Sequence, residues 1–264
     1  MIKQSCESLA PHPLKVRSSA AHTEIIYYSR MMRSTFSLST DEYEQRRHVF
    51  ETHRWINSVL ARMYEDPDFD AIYFERTGNV KKLIEEAIPL TYLGLQLVRM
   101  AEDVFIQCYA DNRPCDGRLE VIGWNNFSFK VEVTTTENAE TSLRRQALSR
   151  NGMVWLHGTV KRDENDGRRI VSEPEMVDLS KREDRCVELA FERFLTKANS
   201  GRYDVNTAIL VAITMEHVIS MRRRGELLRR SREWLRANPT VYGVYYCYQR
   251  DGIIDSARAS GREI

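Results

Sequence analysis

Two carboxylates sixteen residues apart carry the first hint of chemistry. Asp116 stands just after Pro114, at the start of the alternating segment RLEVIGW (118–124). Glu132 stands in the middle of the next segment, FSFKVEVTTT (127–136). A hairpin between the two brings both acids side by side on one face. Paired carboxylates are a usual way to hold Mg2+, or Mn2+, through hard oxygen ligands. Such an ion polarises a phosphodiester and activates water, which is the core of metal-assisted hydrolysis. Lys130 and Thr134 flank Glu132 on the same face, and two strand residues span roughly 7 Å. Lys130 is then expected within reach of a bound phosphate, to stabilise developing charge or position the attacking water. The competing expectation is that Glu132 and Lys130 are the solvated face of an edge hairpin and do no chemistry.

The elements around this hairpin follow from hydrophobic periodicity. Residues 39–64 predict a helix, with Ser39 or Thr40 as cap, acids in the first turn and an apolar stripe from Tyr43 to Met63. EDPDFD (65–70) ends it. Asp66, Asp68 and Asp70 resemble the opening of a calcium loop, but Pro67 and the missing Gly and closing Glu favour a solvated turn. A second helical region covers 79–102, with a kink expected at Pro89, whose ring crowds the Glu85 carbonyl. VFIQCYA (104–110) predicts a strand, and Asn125–Asn126 a tight connection between the two motif strands.

Downstream, the pattern predicts a helix over 138–150 and a hairpin of MVWLHGTV and RRIVSE across RDENDG. It then predicts an amphipathic helix over 178–199 and a strand covered on both faces at 208–214. A basic helix over 215–237, an aromatic strand over 241–248 and a fraying polar tail complete the chain. The expected fold class is α/β, a mixed central sheet flanked by helices. The expected organisation is an N-terminal arm and accessory helix (1–78), a core (79–250) and a flexible tail (251–264).

The order helix, strand, Pro-x-Asp strand, Glu-bearing strand, helix, strand over about residues 79–214 resembles the PD-(D/E)XK, or restriction-endonuclease-like, nuclease superfamily. The resemblance implies an αβββαβ core that cuts DNA, or sometimes RNA, with a divalent metal. Pro114 and Asp116 match the first half-motif and Glu132 the second acid. A further family acid on the first core helix falls on Glu86 or Glu85. Gln146, on the helix after the motif strand, matches a position that contributes to the site in some relatives. The family places a Lys two residues after the second acid, and this chain has Thr134 there. Family members tolerate migration of that lysine, which leaves Lys130 as its stand-in. Without a stand-in, the resemblance implies a protein that keeps the fold and binds nucleic acid without cutting it.

The segment MRRRGELLRRSREWLR holds Arg222, Arg223, Arg224, Arg229, Arg230, Arg232 and Arg236 against Glu226 and Glu233. It is expected to track phosphates beside the cleft, helped by Arg144, Arg145 and Arg150 on the 138–150 helix. The alternatives are a solvated helix laced by Glu–Arg pairs, or a surface for an acidic protein partner. Only eight of the 39 basic residues are Lys, a bias compatible with phosphate contacts, since Arg presents a planar fork of donors.

The 264 residues carry a net charge of +1 and 42% hydrophobic residues, enough for one large domain or two small ones. That balance excludes a uniformly basic coat protein but not a local basic patch. No apolar run is long enough to span a membrane, so no membrane partner is expected. Five scattered cysteines without C-x2-C spacing read as reduced thiols of a cytoplasmic protein. The expected partner is nucleic acid, DNA ahead of RNA, with homodimerisation open because many nucleases of this type act as dimers.

Overall fold

The computed structural model describes residues 36–76, 78–111, 113–123, 126–151, 154, 158–163, 170–174, 176, 178–214 and 219–258. The N-terminal arm through residue 35, Asn125, most of the RDENDG turn, the start of the basic helix at 215–218 and the tail beyond 258 lie outside the described residues.

A mixed seven-stranded sheet forms the centre, flanked by helices. Its strands are β1 (Arg47–His48), β2 (Asp103–Cys108), β3 (Gly117–Ile122), β4 (Phe127–Thr135), β7 (Thr207–Ile213), β8 (Gly243–Tyr248) and β9 (Ile253–Arg258), in the order β1-β2-β3-β4-β7-β8-β9. β5 (Gly158–Arg162) and β6 (Ile170–Pro174) form a separate antiparallel hairpin. The β1–β4 half is antiparallel, β4, β7 and β8 run parallel, and β9 returns antiparallel along β8. The two parallel joints need long crossovers. α6 (Ala139–Asn151), the β5–β6 hairpin and α7 (Leu179–Ala198) make the first, and α8 (Met221–Ala237) makes the second.

Strand alternation sorts side chains into two cores. Phe129, Val131, Val133, Ala208 and Leu210 face a cluster with α2 (Val49–Glu65) and α5 (Ile88–Leu97). Ile209, Val211, Ile213, Val244 and Tyr246 face the other way, onto α7 and α8. Among the described residues, no helix is long and apolar enough to cross a membrane.

Four expectations change. The helix expected over 39–64 is two helices, α1 (Thr40–Glu44) and α2, separated by β1. Arg47 and His48 pair their backbone with Ile106 and Phe105 on β2, and His48 then caps α2 in a reciprocal box with Glu51. Residues 36–65 also share the first core, where Leu38, Tyr43, Val49, Ile56, Val59 and Met63 join Leu83, Leu90 and Leu119. A boundary near residue 78 therefore separates no two cores.

At Pro89 the expected disturbance takes the form of a change of helix type. After α3 (Phe69–Glu75), α4 (Gly78–Lys82) opens into a π-helical turn at Leu83–Ala87 before α5. The Ile88 N–H reaches back five residues to the Leu83 carbonyl. The widened turn absorbs the donor that Pro89 cannot supply and the bulk of its ring. Finally, residues 253–258 do not fray. They form β9, because β8 is buried along its whole length and needs a hydrogen-bonding neighbour on that side.

Candidate functional site

The acid pair is built by the β3–β4 register. Gly117 stands opposite Val131 and Arg118 opposite Lys130, and Asp116 enters β3 beside Val131, within electrostatic reach of Glu132 on β4. Asp116 is held at three points. Its N–H donates to the Val131 carbonyl at 2.9 Å, and its own carbonyl accepts from the Tyr109 N–H at 2.9 Å. Its Oδ2 accepts from the Val133 N–H at 2.7 Å, so the side chain takes over a place in the ladder. Gly117 makes the close approach feasible. A Cβ there would stand 2.8 Å from the Gln107 carbonyl oxygen and 2.8 Å from Leu90 Cδ1.

A third acid comes from the π-helical turn. Glu86 Oε2 accepts from the Tyr43 hydroxyl of α1 at 3.5 Å. Burial and then the neighbouring Asp116 push the Glu86 carboxyl up to about 8. Burial and then Glu132 push Asp116 up to about 6, although the Val133 N–H and the cations Lys197 and Lys82 pull the other way. Both shifts have one sign, that of anions short of water and of counter-charge. The surroundings extend the effect. The Cys108 thiol rises to about 12, chiefly through burial and then Glu86. Tyr43 is raised as well, by burial first.

Glu132 is 7% exposed, and its own charge is met from outside the hairpin. The Lys197 ammonium, in the last turn of α7, donates to Glu132 Oε1. The Tyr203 hydroxyl, in the loop before β7, is raised by burial and then by the neighbouring Glu132. Neither residue is predicted by the motif, and both lie more than sixty residues from Glu132 along the chain. The available signal was that Lys197 ends the helix preceding β7, the strand that pairs with β4 through Glu132 and Ile209.

Lys130 goes elsewhere. Its ammonium bonds Asp204 Oδ2 at 2.9 Å, with both side chains about half exposed (47% and 49%). At the rim, the acid that meets Lys130 is Asp204 and not Glu132. Thr134 is half-buried and stands opposite Val211. The choice between Glu85 and Glu86 resolves into two duties. Glu86 joins the acid pair, while Glu85 faces Arg76 at 3.7 Å, Lys81 at 3.9 Å and Arg145 at 3.9 Å. Arg145 also meets Glu137 at 2.9 Å, Arg144 bonds Glu140 at 2.7 Å, and Gln146 is half-buried on the same helix. These α6 side chains belong to an ion-pair network beside the site. Arg76 holds its place there with a φ of 47°, the one positive φ outside glycine among the described residues.

The arginine helix is mostly spent within the chain. Arg223 pairs with Asp184 and, at 2.8 Å, with Glu226. Arg224 is 8% exposed, lies over the Tyr248 ring at 3.9 Å and reaches Asp251 at 3.2 Å. Arg229 pairs with Glu233 at 2.8 Å, and Arg230 grips Glu188 at 2.5 and 3.0 Å while lying over Phe191. Arg222 remains exposed. Asp184 and Lys197 are thirteen residues apart on α7, about 20 Å along a helix. A phosphate track on Arg223 and Arg224 beside the acid pair is therefore corrected. Arg223 meets Asp184 at the far end of α7, and Arg224 meets Asp251 in the turn before β9.

The donor set suits a hard divalent cation in one respect. Among the described residues, no group of three or more His, Cys, Asp or Glu side chains is arranged to hold a metal ion. The Asp116–Glu132 pair does offer two carboxylates, and Mg2+ is usually held by one or two, with waters and substrate phosphates completing its shell. Comparison with family models, with curated proteins and with solved structures finds no match to this chain.

Proposed function

We propose that the chain is a metal-dependent nuclease with a restriction-endonuclease-like core. The observation that carries the reading is the Asp116–Glu132 carboxylate pair, capped by the Lys197 ammonium. The element order supports it. The π-helical turn with α5, then β2, β3, β4, α7 and β7 run in an αβββαβ sequence, with α6 and the β5–β6 hairpin inserted before α7. Asp116 and Glu132 would hold Mg2+ or Mn2+, with Glu86 as the adjacent third acid. When bound, the cation would polarise a phosphodiester and lower the proton affinity of an attacking water.

The chain's own residues set the rest. The Val133 N–H aims one Asp116 oxygen and leaves the other free. Lys197, rather than Lys130, supplies the ammonium, and its remaining N–H bonds can meet a phosphoryl oxygen as charge develops there. The Tyr203 hydroxyl, beside Glu132, would steady that carboxylate.

The test is cleavage of DNA and of RNA by the purified chain with Mg2+ or Mn2+. Activity is expected, with loss on chelation, in Asp116→Ala and in Lys197→Met. A second reading is a nucleic-acid-binding protein that keeps the fold without the chemistry. It is favoured by the Lys197–Glu132 ion pair, which already satisfies one of the two carboxylates. A chain that binds nucleic acid but cuts nothing under any of these conditions supports that second reading.

A further inference from the structure

Among the described residues, helices reach one face of the β2–β4 half-sheet only at its margin, where the Glu44 carbonyl of α1 accepts from Gln107 and Lys197 of α7 meets Glu132. α2 and α5 pack on the opposite face, through Val104, Ile106, Leu119 and Phe129. α7 and α8 cover the β7–β8 end. The register writes the open face in rows. Phe105, Glu120 and Ser128 form one row, and Gln107, Arg118 and Lys130 the next. Next along the strands come Tyr109, whose N–H meets the Asp116 carbonyl, and Glu132, two residues on from Lys130. Rows on one face lie roughly 7 Å apart along the strands.

The side chains on this face are cationic and accessible. Arg46, Arg113, Arg118 and Lys130 are 44%, 43%, 46% and 47% exposed. Arg46 lies flat over Phe105 at 3.9 Å and Arg113 over Tyr109 at 4.3 Å. Their acidic partners are Glu120, Asp111 and Asp204 at the surface and, for Arg113, also the half-buried Glu44 at 3.5 Å. Such exposed pairs hold weakly and are easily exchanged for a phosphate. On α8, by contrast, Arg224 is buried and Arg230 is clamped to α7. We propose that the open β2–β4 face, and not α8, is the track on which a nucleic acid strand lies as it enters the acid pair, with its phosphates on Arg118 and Lys130. This rests on the reading of the pair as a nucleic-acid site, and it moves the substrate surface to the other end of α7.

The experiment measures binding of short fluorescein-labelled oligonucleotides, single-stranded and duplex, as DNA and as RNA. The full chain is used with Ca2+ in place of Mg2+, over a range of salt. The double variant Arg118→Glu, Lys130→Glu is expected to weaken binding at least about tenfold and to lower the slope of log affinity against log salt by about 2. The pair Arg222→Glu, Arg232→Glu on α8 is expected to change it less than about threefold. A second measurement uses the unaltered protein. Acetylation of Lys130, followed by mass spectrometry, should slow when oligonucleotide is added, while that of Lys181 at the start of α7 should not. The inference is overturned if the α8 pair loses more binding than the face pair, if Lys181 is protected and Lys130 is not, or if the chain binds no oligonucleotide at low salt. Absence of cleavage with binding mapped to this face removes the nuclease reading and leaves the track. Cleavage by wild type with face variants that bind and cut normally does the reverse.

Discussion

The acid pocket and the arginine helix handle charge in opposite ways. On α8, Arg223, Arg224, Arg229 and Arg230 each meet an acid of the same chain, and two of them also cover aromatic rings. In the pocket, Glu86, Asp116 and Glu132 are gathered around one direct ammonium, Lys197, with Lys82 acting at longer range. The first arrangement is balanced and holds α8 onto α7 and β9. The second is frustrated, with the proton affinities of Glu86 and Asp116 raised by burial and by neighbouring carboxylates. A dense run of cations therefore says less about function than a small excess of buried anions, because solvated cations cost little while crowded carboxylates cost stability unless something binds there.

That contrast can be broken most decisively by activity. Asp116→Ala and Lys197→Met should each lower Mg2+-dependent cleavage by about a hundredfold or more, measured as kcat/KM on an oligonucleotide. Equivalent changes at Arg222 should leave cleavage within about threefold. Cleavage should also rise with pH between about 6 and 8, as Asp116 and Glu86 ionise and become able to hold a cation.

The next largest effect is on stability. Asp116 is raised from 3.8 to about 6 in the folded chain, so folding favours its protonated form. The cost of ionising it is absent below about pH 4 and complete above about 6, and for Glu86 the window runs from 4.5 to about 8. Asp116→Asn should therefore stabilise the protein at pH 8 by on the order of 2 kcal/mol, a gain that fades toward pH 4. Thermal melts across pH read this directly. Added Mg2+ should raise the wild-type melting temperature at pH 8 and leave that of the variant nearly unchanged. A variant destabilised equally at all pH values would mean that the pocket is not frustrated.

A smaller effect separates the arginines of one helix. Arg224→Met loses the contacts to Ile219, Asp251 and Tyr248 and should cost about 2 kcal/mol in urea unfolding. The smallest is Arg232→Ala on the exposed side, which should leave the melting temperature within about 2 °C. Equal losses at both positions would erase the distinction between a structural and a solvated arginine.

Much of the scaffold was legible before any coordinates. The alternation in FSFKVEVTTT made β4 and placed Glu132 opposite the apolar side chains, and Pro-Cys-Asp at 114–116 put Asp116 at the head of β3. Local patterns misled where a short interruption outranked the period. Arg47–His48 is too brief to show as a strand, yet it splits one apolar stripe into two helices. Pro89 announces a disturbed helix, but whether the chain kinks or widens into a π-turn depends on how α5 packs. The polar composition of 253–258 conceals β9, since an edge strand needs only a free neighbour and one protected face.

What the sequence determined by itself is the inventory: an α/β alternation, two acids whose strands must pair, and a helix crowded with arginine. Periodicity of 2 or 3.6 residues is a property of neighbours in the chain, so it survives without a fold. What the tertiary structure alone decided is who answers whom. It brought Lys197 to Glu132, sent Lys130 out to Asp204, turned Glu85 and Glu86 to different partners and spent α8 on the acids of α7. Those pairings join residues distant in sequence, and their energies depend on burial and on the competing ions nearby, neither of which a linear pattern records.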